Sequence, residues 1–248
     1  MNPNTADAVV SRDAAVSDSC ILCQAPLKYL ESPKMMRCEI CGRSFEGHAV
    51  CENGHYVCDE CHASPAEGVV RSVVLASTSK NPLEIAEQIM ASSFVHMHGP
   101  EHHFIVGASL LCAYNNTYGG LDLENSLNAV ISRGKKVPGG FCGMAGCCGA
   151  AVSAGIFLSV VLKATPMSKE SWALSNRMTS CCLDAVSRLG GPRCCKRDSY
   201  TSILAAAEFC GRELGKPLDV SDGVSCRHYM ENTECLKTEC PYFTLHTH

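Results

Sequence analysis

The sequence predicts a mainly α fold, in which a helical bundle follows a small cysteine-rich module. Three observations lead to this prediction. Close cysteine pairs crowd residues 20–62, helix-start signals recur from residue 81 onward, and no strand-like alternation of useful length follows residue 80. We therefore expect a flexible tail over residues 1–19, a zinc-binding module of double ribbon or knuckle type over residues 20–62, and a cysteine-rich helical domain over residues 63–248.

Cysteine is the outlier of the composition, at 19 of 248 residues. The cysteines fall in close pairs with histidines among them, and residues 1–19 contain no apolar segment of signal-peptide type. This pattern favours metal ligation in the reducing cytoplasm over the disulfide scaffold of a secreted protein. The longest apolar run, Gly149 to Leu162, is shorter than the ~20 residues that a bilayer requires. A net charge of -4 predicts no phosphate-binding face. We expect a cytoplasmic protein that binds neither a membrane nor nucleic acid.

Start and stop signals predict the helices. Ala66 to Ser77 forms either a linking helix or, given its β-branched residues, a strand. Asn81 can cap the next helix, because Pro82 occupies the first helical position and Glu84 follows three residues after Asn81. Further helices are predicted over residues 101–114, 123–132, 147–163, 168–189 and 198–214, the last of them capped by Asp198.

Eight candidate metal ligands lie in the N-terminal module in four pairs, which are Cys20-x2-Cys23, Cys38-x2-Cys41, Cys51-x3-His55 and Cys58-x2-Cys61. Two closed tetrahedral sites are the usual form of structural zinc, and so short a segment needs the metal to fold. The spacing leaves the pairing open. Sequential pairing gives adjacent knuckles, whereas cross-braced pairing joins the first pair to the third and the second to the fourth. His62 in place of a neighbouring ligand and iron in a rubredoxin-like site are further alternatives.

The helical domain carries more cysteines, in two glycine-rich turns and in its C-terminal tail. Each turn precedes a helix, where free backbone N–H groups favour thiolates and can hydrogen-bond the sulfurs of an iron–sulfur cluster. The candidate cofactor-binding residues are Cys142 and Cys148 in the first turn, Cys194 and Cys195 in the second, and Cys226, Cys235 and Cys240 in the tail. The tail also fits a zinc knuckle completed by His228. Cys112 and Cys210 are interpreted as packed core residues, and Cys181 and Cys182 fit either role.

Residues 96–103 have the sequence HMHGPEHH, in which four imidazoles and a carboxylate can form a metal site or an acid–base site. The candidate catalytic residues are His98, Glu101, His102 and His103. The alternative is a polar helix start whose imidazoles cap the helix and face solvent. Because an even number of long helices separates this segment from each glycine-rich turn, we expect all three motifs to converge on one site.

The motifs HGPEHHF, PGGFCGMAGCCGAAVSAGIF, GGPRCCKR and a tail ending in CPYF follow a zinc-ribbon front in this order. Together they resemble an uncharacterised family of anaerobic bacteria and methanogenic archaea, a domain of unknown function whose members are often named beside SAM-dependent methyltransferases. The resemblance covers nearly the whole chain from Cys20 onward, and the chain also resembles redox proteins known for a C-G-C-A type cysteine motif. Neither resemblance implies an established reaction. No glycine-rich nucleotide fingerprint follows a strand, so the sequence does not predict methyltransferase activity.

The leading hypothesis for function is a metalloprotein with two structural zinc ions and an iron–sulfur site of 4Fe–4S type or a redox-thiol site. Such a protein would act as an oxidoreductase or sulfur transferase on a small thiol or sulfur-containing substrate. The alternatives are a metal or cluster carrier and a non-enzymatic, zinc-stabilised interaction or regulatory protein. Because many helices are apolar, we also expect a homo-oligomer or a docked protein partner.

Overall fold

A computed structural model of the protein describes residues 20–23, 25–221 and 223–244. The tail predicted over residues 1–19 lies outside the described residues. The chain divides into two units, the first ending at Tyr56 and the second beginning at Val57. This division falls earlier in the chain than the predicted domain boundary after residue 62.

Two antiparallel strands form the first unit, β1 over Leu27–Arg37 and β2 over Ser44–Cys51. The register pairs the first residue of β1 with the last of β2, with an irregularity between Tyr29 and Lys34. The turn after β1 bends at Gly42, with a φ of 70°, and the turn after β2 bends at Gly54, with a φ of 86°. Both values lie in the left-handed region that glycine adopts without strain. Gly42 directly follows the Cys38–Cys41 pair, and Gly54 directly precedes His55. The two strands and their turns therefore position the candidate metal ligands.

Helices dominate the second unit, which confirms the predicted mainly α fold. Their bounds are α1 Asp59–Ala76, α2 Pro82–Met90, α3 His102–Tyr118, α4 Leu123–Gly134, α5 Phe141–Ala145, α6 Gly149–Val161, α7 Glu170–Ser187 and α8 Cys195–Leu214, followed by one 3-10 turn at Lys237–Glu239. Within the part of the chain that the structure describes, no helix has the length and apolar character needed to cross a membrane.

Helix α3 lies at the centre of the helical unit. Its residues from His102 to Ala113 are all buried, and it packs against α1, α2, α4, α6 and α8. The approach to α6 is closest at Gly107, whose N–H donates to Ser153 Oγ at 2.8 Å. A Cβ atom at Gly107 would lie 2.8 Å from the Ser153 carbonyl oxygen, so only glycine permits this crossing. A helix apolar on all sides is expected to be buried.

The signals at two helix starts had different outcomes. The Asn81 cap is confirmed, because Asn81 Oδ1 accepts the N–H of Leu83 at 2.8 Å. The Asp198 cap is wrong, since α8 begins at Cys195 and Cys194 is its N-cap. Cys194 Sγ accepts the N–H of Arg197 at 3.4 Å, and Asp198 lies buried inside the first turn. Cysteine is not among the residues preferred at N-caps, so the sequence pattern favoured the aspartate.

Helix boundaries elsewhere follow the predictions with two differences. Ala66 to Ala76 is part of α1, which begins at Asp59, so the helix alternative is confirmed and the strand alternative is wrong. The first glycine-rich turn contains the short helix α5, which the sequence did not predict. Left-handed glycines at positions 140 and 146 bound this helix on both sides.

Candidate metal centres

The first four-ligand group lies in the N-terminal unit and consists of the thiols of Cys20, Cys23 and Cys51 with the imidazole of His55. Cys23 Sγ is 3.4 Å from Cys51 Sγ and 3.3 Å from His55 Nδ1. Cys20 Sγ is 3.8 Å from His55 Nδ1. A tetrahedral zinc ion with bonds of about 2.0–2.3 Å holds its ligand atoms about 3.3–3.8 Å apart. The four atoms therefore already have the spacing that one ion imposes.

N–H groups support the sulfurs of this group. The backbone N–H of Asn53 donates to Cys51 Sγ at 3.3 Å, and its side-chain amide lies 3.6 Å from Cys23 Sγ. A backbone hydrogen bond from Ala25 is the main cause that lowers the pKa of Cys23 to about 6. The thiolate is the form of cysteine that binds a metal, so this environment prepares the ligand.

The second four-ligand group consists of the thiols of Cys38, Cys41, Cys58 and Cys61, whose sulfur atoms lie within 4.8 Å of one another. The first group combines the first and third predicted ligand pairs, and the second group combines the second and fourth. The pairing is therefore cross-braced, and the sequential alternative is wrong. His62 belongs to neither group. Both groups can hold metal ions such as zinc.

A pocket in the helical unit is lined by four cysteines. Cys194 comes from the turn before α8, and Cys226, Cys235 and Cys240 come from the C-terminal tail. The structure thus joins the second glycine-rich turn to the tail. His228, proposed from the sequence as a zinc ligand of the tail, lines the same pocket.

N–H groups also point at the sulfurs of this pocket. The donor–sulfur pairs are Arg197 N–H to Cys194 at 3.4 Å, Asn232 Nδ2 to Cys194 at 3.6 Å, His228 N–H to Cys226 at 3.4 Å and Lys237 N–H to Cys235 at 3.4 Å. Burial raises the pKa of Cys194 to about 11 and also raises the pKa of Cys226. These two thiols are therefore protonated at neutral pH until a metal displaces their protons.

The four pocket sulfurs are spaced more widely than the ligands of the N-terminal unit. Among the described residues, groups of three or more ligand atoms within 4.8 Å are the two groups above and one further group around Glu101. None of the pocket cysteines belongs to such a group. This spacing separates the pocket from a site built for a single ion.

Asp198 connects the pocket to the first glycine-rich turn. Burial raises the pKa of Cys142 and Cys148, the latter to about 11, and the nearby charge of Asp198 raises both further. Burial and Asp198 act in the same way on Cys195, whose thiol accepts a backbone hydrogen bond from Gly99. The convergence of the three motifs on one site stays a prediction.

His98 belongs to the same surroundings. Its Nε2 lies 3.9 Å from Glu234 Oε2, and its Nδ1 is buried without a hydrogen-bond partner. Burial lowers the pKa of His98, and the charges of Glu234 and Asp198 act against that shift. A neutral imidazole with one free nitrogen can accept or relay a proton. Its catalytic assignment stays a prediction.

His102 and His103 are buried in the first turn of α3. His102 Nδ1 lies 3.1 Å from Ser199 Oγ, and its Nε2 lies 3.2 Å from the His96 carbonyl oxygen. Burial lowers the pKa of His102 to about 3. His103 Nδ1 lies 2.9 Å from the Val137 carbonyl oxygen, and burial lowers its pKa as well. Both residues hold neighbouring backbone in place, and their catalytic assignment stays a prediction.

Glu101 is the centre of a third close group, with His62 on α1 and His96 in the loop before α3. Glu101 is fully buried. Burial alone would raise its pKa, but the adjacent imidazoles of His62 and His96 outweigh burial and hold the pKa well below its usual range. The sequence analysis placed His96 and Glu101 in one candidate metal or acid–base site, but it did not connect His62 with Glu101. The histidine-rich segment was a signal for His96, whereas nothing local connects His62 to Glu101.

The fold and these groups define a cysteine-rich, mainly helical protein with an N-terminal ribbon-like module and several candidate metal sites. A family model matches residues 70–243, and the chain belongs to this family, which is described as a family of unknown function (DUF5714). The matched region contains α2 to α8 and every cysteine of the pocket, and it does not contain the N-terminal unit. No curated protein and no solved structure matches the chain.

Proposed function

We propose that the helical unit is an iron–sulfur protein, that Cys194, Cys226, Cys235 and Cys240 hold its cluster, and that the cluster serves redox chemistry. The observation that carries this proposal is the convergence of four thiols, from two distant segments, on one pocket. Four cysteine thiolates are the common ligand set of [2Fe–2S] and [4Fe–4S] clusters.

Sulfur spacing supports a cluster over a single zinc ion. One zinc ion draws its four ligand sulfurs to about 3.8 Å from one another, and the ligand atoms of the N-terminal unit have such distances. The pocket sulfurs do not form a group of that size. In a cluster each thiolate is separated from the others by the iron and sulfide atoms, so wider spacing is expected. The same argument disfavours the zinc knuckle completed by His228.

Local charge and hydrogen bonds support a redox role. N–H groups that donate to ligand sulfurs stabilise the more negative, reduced cluster and raise its potential. Cys194 has two such donors, from Arg197 and Asn232. Arg197 also lines the pocket, and its guanidinium forms an ion pair with Asp198 at 3.2 Å. These groups would stabilise the reduced form of the cluster while the four thiolates hold it in place.

The redox step requires an external electron donor. We propose a low-potential one-electron carrier as the donor and a small disulfide as the acceptor. Two molecules of the carrier would each lose one electron, and these two electrons with two protons would convert the disulfide to two thiols. The four thiolates would hold the cluster, which would supply the one-electron transfer. Sulfur transfer by the cysteines outside the pocket is the second candidate reaction. Burial raises the pKa of Cys148 to about 11, so this thiol is protonated at neutral pH and is a poor nucleophile for that reaction.

Zinc in the two N-terminal groups completes the proposal, because closed sites of three or four thiolates are typical of structural zinc. Thiols and a cluster of this kind persist in a reducing compartment, so we place the protein in the cytoplasm.

Metal analysis of the full-length protein, purified without oxygen, tests the proposal. We expect a brown protein with equal amounts of iron and acid-labile sulfide and an electron paramagnetic resonance signal after reduction with dithionite. Cys235→Ala and Cys240→Ala should each lose most of the iron, whereas Cys181→Ala on α7, outside the pocket, should retain it. A colourless protein that contains only zinc overturns the proposal and favours the interaction module. Iron that survives both pocket substitutions overturns the ligand assignment.

A second measurement separates a redox enzyme from a cluster carrier. The loaded protein is mixed with a reduced low-potential carrier and a small disulfide, and thiol formation is followed over many turnovers. Repeated turnover with constant iron content supports the enzyme. Stoichiometric loss of iron and sulfide to an added apo-ferredoxin, without turnover, favours the carrier.

A further inference from the structure

We propose that His62, His96 and Glu101 form a third metal site, which binds one divalent ion of zinc type through two imidazole nitrogens and one carboxylate oxygen. The site shares no residue with the cysteine pocket and is independent of the iron–sulfur proposal. Two histidines and a glutamate are a ligand set of zinc sites that keep a coordination position open.

The distances between the three side chains fit one ion. Glu101 Oε2 lies 3.4 Å from His62 Nδ1, and Glu101 Oε1 lies 3.1 Å from His96 Nδ1. The two imidazole rings are tilted by 47° to each other, with centroids 4.2 Å apart. For a tetrahedral zinc ion with bonds of about 2.0–2.1 Å, the ligand atoms are about 3.3 Å apart. One ligand atom from each of the three side chains lies within 4.8 Å of the other two, which one ion can bridge after a small adjustment of the side chains.

Burial of the Glu101 carboxylate calls for a compensating cation. Its side chain is 0% exposed, and its ion-pair contacts among the described residues are those to His62 and His96. Lys196 is a nearby cation. Its ammonium donates to the carbonyl oxygens of Met90 and Val95 at 3.2 and 3.4 Å, and it forms no direct ion pair with Glu101 among the described residues. An ionised carboxylate in the interior is costly unless a charge or a metal compensates it.

Two atoms of the site are buried without a hydrogen-bond partner, Glu101 Oε2 and His62 Nδ1. They lie 3.4 Å apart, yet their geometry is not that of a donor and an acceptor. Two buried polar atoms this close together and without a hydrogen bond of good geometry are accounted for by an ion bound between them.

The surrounding backbone holds the carboxylate in place. The N–H of His96 donates to Glu101 Oε1 at 2.8 Å. A Cβ atom at Gly99 would lie 2.1 Å from Glu101 Oε2, so any larger residue would displace the carboxylate. His102 Nε2 lies 3.2 Å from the carbonyl oxygen of His96 and anchors the loop. Such outer contacts orient metal ligands in known sites.

Solvent reaches the site from the histidine side. The side chains of His62 and His96 are 20% and 32% exposed, whereas Glu101 is fully buried. Three protein ligands with access to solvent leave the fourth position to water, which a zinc ion makes more acidic. The simplest competing account is a carboxylate that caps the N-terminus of α3 with two hydrogen-bonded imidazoles and no metal.

Zinc content of the full-length protein and its variants decides between these accounts. His62→Ala, His96→Ala and Glu101→Gln should each lower bound zinc by about one ion per chain, because a three-ligand site does not survive the loss of a ligand. His48→Ala, a histidine on β2 outside every candidate group, is the matched control and should keep the full content. Far-UV circular dichroism reports whether each variant is folded. His96 is the most exposed of the three ligands, so His96→Ala should stay folded and still test the site if Glu101→Gln unfolds.

Cobalt gives a second readout that does not depend on counting. The difference spectrum between cobalt-loaded wild type and His96→Ala should show ligand-field bands without thiolate-to-cobalt charge transfer, because the lost site contains no sulfur. Equal zinc content in wild type and folded His96→Ala overturns the proposal, as does a difference spectrum with thiolate bands. Iron and sulfide content are measured in the same samples. A loss or absence of iron and sulfide would count against the cluster proposed for the cysteine pocket, but it would not change the zinc difference between wild type and His96→Ala.

Discussion

The N-terminal unit and the helical unit use the same residue type in opposite ways. Among the described residues of the N-terminal unit, the buried ones are Cys20, Cys38, Gly47 and Cys51, so three of its four buried positions are candidate metal ligands. The helical unit instead buries large apolar side chains, among them Phe104, Leu111, Phe157 and Tyr200. Cysteine therefore takes the place of a core in the first unit and accompanies an existing core in the second.

The cysteines of the helical unit fall into two groups, those packed in its core and those that line the pocket. Cys112, Cys182 and Cys210 are fully buried in helices, and burial raises the pKa of Cys210 to about 12. Cys112 Sγ donates to the Val74 carbonyl oxygen at 3.4 Å, and Cys182 Sγ donates to that of Ser202 at 3.5 Å. These thiols act as small packed residues, whereas the pocket cysteines lie where two irregular segments meet.

The largest effect that tests this contrast is expected from Cys51→Ser. Structural zinc supplies about 10–16 kcal/mol to the folding of zinc-finger peptides, and the N-terminal unit has almost no apolar core to replace it. We expect loss of one zinc ion and rapid proteolysis of residues 20–56, with the helical circular dichroism retained. His48→Ala, on the same strand but outside the ligand group, should stay resistant. A resistant, zinc-replete Cys51→Ser protein would show that the unit does not depend on metal.

A smaller effect is expected from Phe157→Ala in the helical unit. Phe157 is fully buried on α6, and truncation of such a side chain costs about 3–5 kcal/mol. We expect a lower free energy of helical unfolding in urea, with the zinc content of the N-terminal unit unchanged. Met167→Ala, at a position that is 90% exposed, is the control and should leave the midpoint within error. Equal midpoints for wild type and Phe157→Ala would contradict a core-dependent fold.

The smallest effect is expected from Glu67→Gln on α1. Glu67 Oε1 accepts from Arg71 at 2.8 and 2.9 Å, and Oε2 forms an ion pair with Lys135. Such part-exposed pairs contribute about 0.2–1 kcal/mol, so we expect a small loss of thermal stability at neutral pH and low salt.

The pH dependence of this loss has a definite sign. Burial alone would raise the pKa of Glu67, but Lys135 and Arg71 outweigh it and lower the pKa. A carboxylate with a lowered pKa stabilises the folded state above its unfolded pKa, and that contribution disappears as the pH falls through the folded pKa. The melting difference between wild type and Glu67→Gln should therefore vanish in acid. Glu124 has no ion pair among the described residues, so Glu124→Gln should show a much smaller pH-dependent difference. A constant Glu67 effect at all pH values would refute the pairing.

Local features of the chain were predictable where neighbouring residues decide them. The Asn81 cap depends on a side chain and an N–H group two residues apart, and the C-x-x-C spacing alone indicates a metal knuckle. The Asp198 cap failed for a related reason, because Cys194 supplies the capping atom and Asp198 is turned into the protein beside Arg197. Residue preferences describe averages, and tertiary burial at this helix start overrode them.

The sequence by itself determined the mainly helical fold, the eight candidate ligands of the N-terminal pairs and the set of cysteines that includes those of the pocket. Only the tertiary structure decided that the pairs are cross-braced, that Cys194 meets the tail and that Glu101 meets His62. Ligand spacing and caps depend on backbone geometry over a few residues, which the sequence displays directly. Contacts between distant segments depend instead on how buried helices such as α3 and α6 pack against each other. Their close approach at Gly107 is part of that packing, which involves the whole core and which no short stretch of sequence reveals.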